Sequence, residues 1–218
     1  MLTAIEKPIS GEVIRRALSD FQIPISDKQI ISIQRYIAIL LQWNEKLNLT
    51  AIRDPLDILH RHFCESMYGG VAVEVFGRLA DIGSGPGFPG IPLKILRPDL
   101  ELFLVESNIK KGTFLAEVVR ELELTNTRVL ISRYEELGEE LAPLDFVCSR
   151  AVGEFGPFLR WAGSEQLSAR RLLLWIGGRD LDEIRKIRSW EWQEPVLVPK
   201  SLRRYILQGS KKMSADRQ

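Results

Sequence analysis

Cysteine and histidine are scarce in this chain of 218 residues: it holds only Cys64, Cys148, His60 and His62. Two distant cysteines make no disulfide framework, and the four residues lack the spacing of a zinc site. No apolar run approaches the length of a membrane span. The opening Met1-Leu-Thr-Ala-Ile-Glu-Lys-Pro8 has no secretory apolar core. No charge of one sign dominates, the net being +1. There is no internal repeat and no low-complexity segment. These absences predict a metal-free, monomeric, cytoplasmic protein without a membrane partner.

What is present is enough apolar sequence, 45% of the residues, for one full core. The charge is uneven. Residues 151–218 carry 13 basic and 8 acidic side chains, and Lys200, Arg203, Arg204, Lys211, Lys212 and Arg217 crowd the end. A basic end on a near-neutral chain fits a polyanion, and it fits a solvated terminus equally well.

The densest information lies in Leu79-Ala-Asp-Ile-Gly-Ser-Gly-Pro-Gly-Phe-Pro-Gly90. An apolar run reaches acidic Asp81, then glycines fall at 83, 85, 87 and 90, and Ile91-Pro92 opens a helix. Strand, glycine turn and helix begin a nucleotide-binding βαβ unit. A phosphate-cradling P-loop needs Gly-Lys-Ser/Thr, which is missing. Gly85, Gly87 and Gly90 have the spacing of a dinucleotide loop, so an NAD-dependent oxidoreductase stays open. The register starting at the strand end, Asp81-x-Gly83-x-Gly85-x-Gly87, is instead that of S-adenosylmethionine (SAM) methyltransferases. Pro86 also removes an N–H that a pyrophosphate would use. About 20 residues on, Glu101-Leu-Phe-Leu-Val-Glu106 is an apolar strand ending in a carboxylate suited to ribose hydroxyls, in either fold.

Before the loop the pattern is helical. Ser10 caps a first helix to about Phe21, and Ser26 or Asp27 caps a longer one bearing Ile30, Ile33, Ile37, Leu40 and Leu41. Asp54-Pro55 opens a third, and Gly69-Gly70 is read as its end, with a short helix over 70–76. The division follows: a helical extension, 1–68, and a SAM-binding domain, 69–218. From Arg78 strands are predicted at 78–82, 101–106, 127–131, 144–149 and 171–176, alternating with helices at 91–96, 109–122, 154–166 and 179–188. Glu194–Pro199 and Leu202–Gln208 predict a hairpin. The fold class is α/β: a Rossmann-like class I methyltransferase sheet of parallel strands with a C-terminal antiparallel hairpin.

Several segments together resemble the glucose-inhibited division protein B family of small-subunit rRNA guanine-N7 methyltransferases. They are Trp43-Asn44-x-x-x-Asn48-Leu49-Thr50, His62 with Ser66, Asp81 through Pro92, Val105-Glu106-Ser107 with Lys110-Lys111, Ser132 through Glu136, and Asp145 through Ala151. The resemblance implies methylation of guanine N7 in the decoding-region loop of 16S rRNA, on naked RNA, a 30S subunit or an assembly intermediate. It implies that Gly83 and Phe88 line the SAM site, with Gly85 and Gly87 shaping the loop. Tyr134 and Glu135 would lie beside the adenine, and Arg150 at the reactive end. Two positions depart from the family pattern. Glu65 stands before Ser66 where the family has Asp, and Trp175-Ile176-Gly177-Gly178 lacks the family's lysine, leaving Arg179 as the nearest stand-in.

The residues add candidates for RNA. Asn44 and Asn48, four apart, share a helical face. His62, Ser66, Lys110, Lys111, Arg203 and Arg204 complete the expected RNA-binding set. Arg150, at a strand end, suits phosphate, carboxylate or a structural ion pair. Cys148 sits in a buried-strand pattern and reads as core. Other methyl acceptors, protein or small molecule, and a non-catalytic SAM-binding module remain alternatives.

Overall fold

A computed structural model describes residues 9–150, 153–167 and 169–212. The N-terminal helices start where local chemistry dictates. Ser10 Oγ accepts the Val13 N–H and caps α1 (Gly11–Ser19). Ser26 and Gln29 form a reciprocal capping box on α2 (Asp27–Leu47). Gln29 also donates to the Ile95 carbonyl at 2.8 Å, fastening α2 to the sheet domain. Asp54 caps α3 (Pro55–Ile58), with Pro55 in the first turn. The chain then widens into a π-helical stretch, Leu59–Cys64, and continues as α4 (Glu65–Ala72).

Gly69-Gly70 therefore does not end the helix, and no helix spans 70–76; the boundary drawn after residue 68 falls inside α4. The glycines are there for packing. A Cβ on Gly69 would lie 2.9 Å from Trp175 Cε2, and one on Gly70 2.6 Å from Leu93 Cδ2.

The sheet contains β1 (Arg78–Ile82), β2 (Glu101–Val105), β3 (Thr127–Leu130), β4 (Phe146–Ser149), β5 (Arg171–Gly177), β6 (Trp190–Trp192), β7 (Val196–Leu197) and β8 (Arg204–Lys211). Its order is β3-β2-β1-β4-β5-β8-β6, with β7 also paired to β8. The first five strands are mutually parallel, and β8 returns antiparallel against β5. The expected hairpin is present in Val196↔Ile206 and Leu197↔Tyr205. The edge strand β6 was not anticipated, because Trp190-Glu-Trp192 is too short to carry a periodicity.

Helices α5 (Gly90–Leu96), α6 (Ile109–Glu121), α7 (Phe155–Ala162) and α8 (Gly178–Arg185) follow β1, β2, β4 and β5. One face of the sheet shares a continuous core with α1 to α6 through Ile33, Leu40, Phe63, Leu104 and Phe114. The other face buries Phe103, Val147, Phe158 and Ile184. In such sheets the ligand crevice lies outside the carboxyl ends of the strands. The loop after β1, Glu106 after β2, Arg150 after β4 and Arg204 opposite Gly177 of β5 all stand there.

Candidate active site

The glycine loop is held from below by two carboxylates. Asp81, fully buried, accepts the Gly90 N–H at 2.9 Å, and the Cys148 thiol lies 3.7 Å from its other oxygen. Burial drives the Asp81 pKa up to about 7 against these hydrogen bonds. Burial also raises that of Cys148 well above the usual thiol value, so this cysteine is core and no nucleophile. Glu106 accepts the Gly85 N–H at 2.9 Å and the Asn108 N–H at 2.8 Å. Each of its oxygens retains lone-pair capacity for a further donor. Gly83, at φ +68°, faces open space. The open space at Gly83 lies beside the turn that Glu106 holds. Exposed Ile109 and Ile131 supply apolar surface at the ends of β2 and β3, a feature that strand patterning does not reveal.

The far side of the loop is pinned by aromatic rings. Phe88 is buried, with Tyr36 stacked on it at 5.3 Å and His62 at 4.5 Å. Phe63 meets it edge-on. Tyr36 Oη donates to the Pro86 carbonyl, and a side chain at Gly87 would strike Ile91 Cδ1 at 2.6 Å and Tyr36 Oη. Residues of α2 and the π-helical stretch thus mould the loop. Protein rings occupy the faces of Phe88.

His62 is neutral. Burial, then Arg150 and Arg61, lower its pKa to about 3. Its Nδ1 lies 3.4 Å from Arg150 Nη1, and guanidinium can only donate. The ring proton therefore sits on Nε2 and is donated to Thr50 Oγ1 at 3.0 Å. Thr50 is fixed in turn by Asn44, which donates to its carbonyl at 3.0 Å and accepts its N–H at 2.9 Å. This corrects two expectations. Asn44 is buried and consumed in shaping the Asn44–Thr50 turn. Asn48 is no longer on the helix: it is the left-handed C-cap of α2, exposed and bonded to Arg53.

Arg150 belongs to a further cluster. Its guanidinium donates to the Arg61 carbonyl at 2.6 Å and reaches Glu65 Oε2 at 3.4 Å. Glu65, buried within α4, also takes Arg204 at 2.9 Å and Arg61 at 3.2 Å. In the structure Arg150 is paired with Glu65. Ser66 is corrected as well: it is fully buried and donates to the His62 carbonyl within the helix.

Comparison with known proteins agrees with this geometry. The GidB family model, rRNA small subunit methyltransferase G, matches residues 29–200. The chain belongs to the GidB family. Ribosomal RNA small subunit methyltransferase G of Xanthomonas euvesicatoria is 49% identical over 171 residues, covering 76% of this chain and 78% of that protein. The Lactococcus lactis protein of the same name is 36% identical over 193 residues, covering 77% and 81%. In fold, the chain resembles a SAM dependent methyltransferase from Aquifex aeolicus, with a TM-score of 0.54 at 16% identity over 78% of this chain and 97% of that one. The ribosomal protein L11 methylase of Lactobacillus delbrueckii gives 0.51 at 16% identity, over 71% and 80%.

The other residues expected at the cofactor or the RNA fall in three places. Tyr134 and Glu135 form a turn beyond β3; the tyrosine ring packs edge-on against Phe158 and Trp161, and Glu135 is exposed. Lys110 is exposed and Lys111 half-buried in the first turn of α6, which Asn108 caps. Arg203 is exposed in the turn before β8. Arg179, the nearest stand-in for the lysine missing after β5, is exposed in the first turn of α8. Arg204 lies directly opposite Gly177. Sequence reading missed Tyr36, whose partner Pro86 is distant in the chain, and the convergence of Arg150 and Arg204 on Glu65, which joins residues far apart in sequence.

Proposed function

We propose that this GidB protein transfers the methyl group of SAM to N7 of a guanine in 16S rRNA, in the decoding-region loop, with the 30S subunit or an assembly intermediate as substrate. The protein is a SAM-dependent rRNA methyltransferase. The observation that carries the site assignment is the bond from Gly85 N–H to Glu106, which ties the turn after β1 to the carboxylate after β2. SAM supplies an electrophilic methyl group on a sulfonium. Guanine N7 offers a lone pair and no proton, so no side chain has to act as general base. The work left to the protein is alignment at near-attack distance and exclusion of competing poses.

On this reading Glu106 accepts the ribose hydroxyls. Gly83, Gly85, Gly87 and Phe88 provide the loop backbone, and Tyr134 with Glu135 border the adenine. Asp81 holds the start of α5 by its bond to Gly90 and touches no ligand. The neutral His62 and the Glu65-bound Arg150 fix the loop's outer wall, so Arg150 positions and does not catalyse. Lys110, Lys111 and Arg203 are cations free to meet RNA phosphates. The N-terminal helices act as an extension that shapes the SAM domain, as a monomer in the cytoplasm; no described helix is long and apolar enough to cross a membrane. The test is incubation of the purified protein with labelled SAM and either naked 16S rRNA or 30S particles, followed by mapping of modified guanines. One guanine labelled on the preferred substrate is the expected result; label on protein alone would refute the reading.

A further inference from the structure

Three arginines share one buried carboxylate beside the glycine loop. Glu65 is 3% exposed and lies within 2.9 to 3.4 Å of Arg204, Arg61 and Arg150. Among the described residues no second carboxylate reaches any of the three arginines within 4.0 Å. A structural ion pair balances its charges; this cluster keeps an excess of two positive charges in a partly desolvated place, where charge is poorly screened. The geometry is also incomplete. Arginine and carboxylate ordinarily meet at two points, yet each guanidinium gives Glu65 one nitrogen, and Arg204 Nε is buried with no partner among the described residues. Arg61 and Arg204 remain partly open, at 45% and 35%.

The cluster stands at the carboxyl ends of β4 and β5, next to the loop through Arg150, His62 and Phe88. We propose that Arg61, Arg150 and Arg204 bind a backbone phosphate of the RNA substrate next to the guanine to be methylated, and that Glu65 is the positioning residue that spaces them. The excess charge calls for an anion, and the free guanidinium edges call for a multidentate one. Glu65 stands where the family pattern has Asp; its longer arm is what serves three arginines at once. This inference rests on the rRNA methyltransferase reading.

The experiment compares the parent with Arg61→Gln, Arg204→Gln, their double variant, Glu65→Gln and Glu65→Asp. RNA affinity is measured across a salt series, S-adenosylhomocysteine (SAH) affinity by calorimetry, and methyl transfer as kcat and KM. The double variant Arg61→Gln/Arg204→Gln should lower the slope of log K against log[salt] by about 0.7–0.9, the worth of one phosphate, and weaken RNA binding about tenfold, each single variant giving part of this, with SAH affinity unchanged. Glu65→Gln should keep or tighten RNA binding, since it removes a negative charge, while kcat falls; Glu65→Asp should recover part of kcat. An unchanged salt slope in the double variant overturns the proposal. So does a parallel loss of SAH affinity, which would place the cluster on the carboxylate of the cofactor. Should Glu65→Gln fail to fold, the two partly exposed arginines decide alone. Failure of the parent to methylate any RNA would refute the functional reading instead, independently of the slopes.

Discussion

His62 and Asp81 lie on two sides of the same loop and respond to acid in opposite senses. His62 titrates near pH 3 when folded and near 6.5 when unfolded. Between those values the unfolded chain binds the extra proton, so the stability present above pH 6.5 is lost on acidification. Asp81 titrates at about 7 when folded and near 3.8 when unfolded, so its contribution is lost as pH rises through that window. The two slopes oppose one another from pH 6.5 to about 4. Replacing His62 by glutamine should unmask Asp81: relative to the parent, the variant should gain about 1.4 kcal/mol for each pH unit below 6.5. Urea titrations at pH 7.5, 6 and 5 measure this, and a pH-independent difference would contradict it. Glu106 invites a simpler experiment. Glu106→Ala removes both the acceptor for Gly85 and the carboxylate facing the ribose, and SAH should bind ~2–4 kcal/mol more weakly by calorimetry. Full affinity in a folded variant would put the ribose elsewhere.

At the level of elements, α4 shows how packing overrides propensity. Alanine outranks glycine in a helix by about 1 kcal/mol, so Gly69→Ala looks stabilising on an isolated helix. Here the added methyl would press into the Trp175 ring, whose N–H is bonded to the Glu65 carbonyl at 2.8 Å. Overpacking costs about 1–3 kcal/mol. The variant should therefore be less stable than the parent in urea; a higher midpoint would mean that Trp175 yields freely. The same contact explains what sequence could and could not disclose. Asp81, the glycines and Glu106 were legible because their demands are local: positive φ at 83, 85 and 87, and one carboxylate a fixed stride beyond. The parallel strands were legible as apolar runs. Asn44 and Gly69-Gly70 were misread because their partners, the Thr50 backbone and Trp175, come from a turn and a strand that no spacing rule connects to them; Ser66 was misread because the burial of its helix face, where it bonds the His62 carbonyl one turn back, is set by tertiary packing. The π-helical widening at Leu59–Cys64 has no signature of composition at all, yet it places His62 against Phe88.

For the whole molecule, the decisive arrangement is the place of β8. It lies between β5 and β6, running antiparallel to β5 from Arg171↔Ser210 to Gly177↔Arg204. A chain ending at Ser201 would lose an interior strand and leave two unpaired edges over an opened core. Such a truncation should lose cooperative unfolding and be cleaved rapidly by proteases, whereas one ending at Lys212 should retain both; a protease-resistant 1–201 fragment would show that the sheet closes without β8. The order of synthesis gives this a further meaning. As the chain leaves the ribosome, the glycine loop and the strands on both sides of the gap emerge before the strand that fills it. Arg204, the first residue of that strand, also completes the arginine set around Glu65. Closure of the sheet and completion of the arginine set around Glu65 therefore both await the last of the described strands to be synthesised.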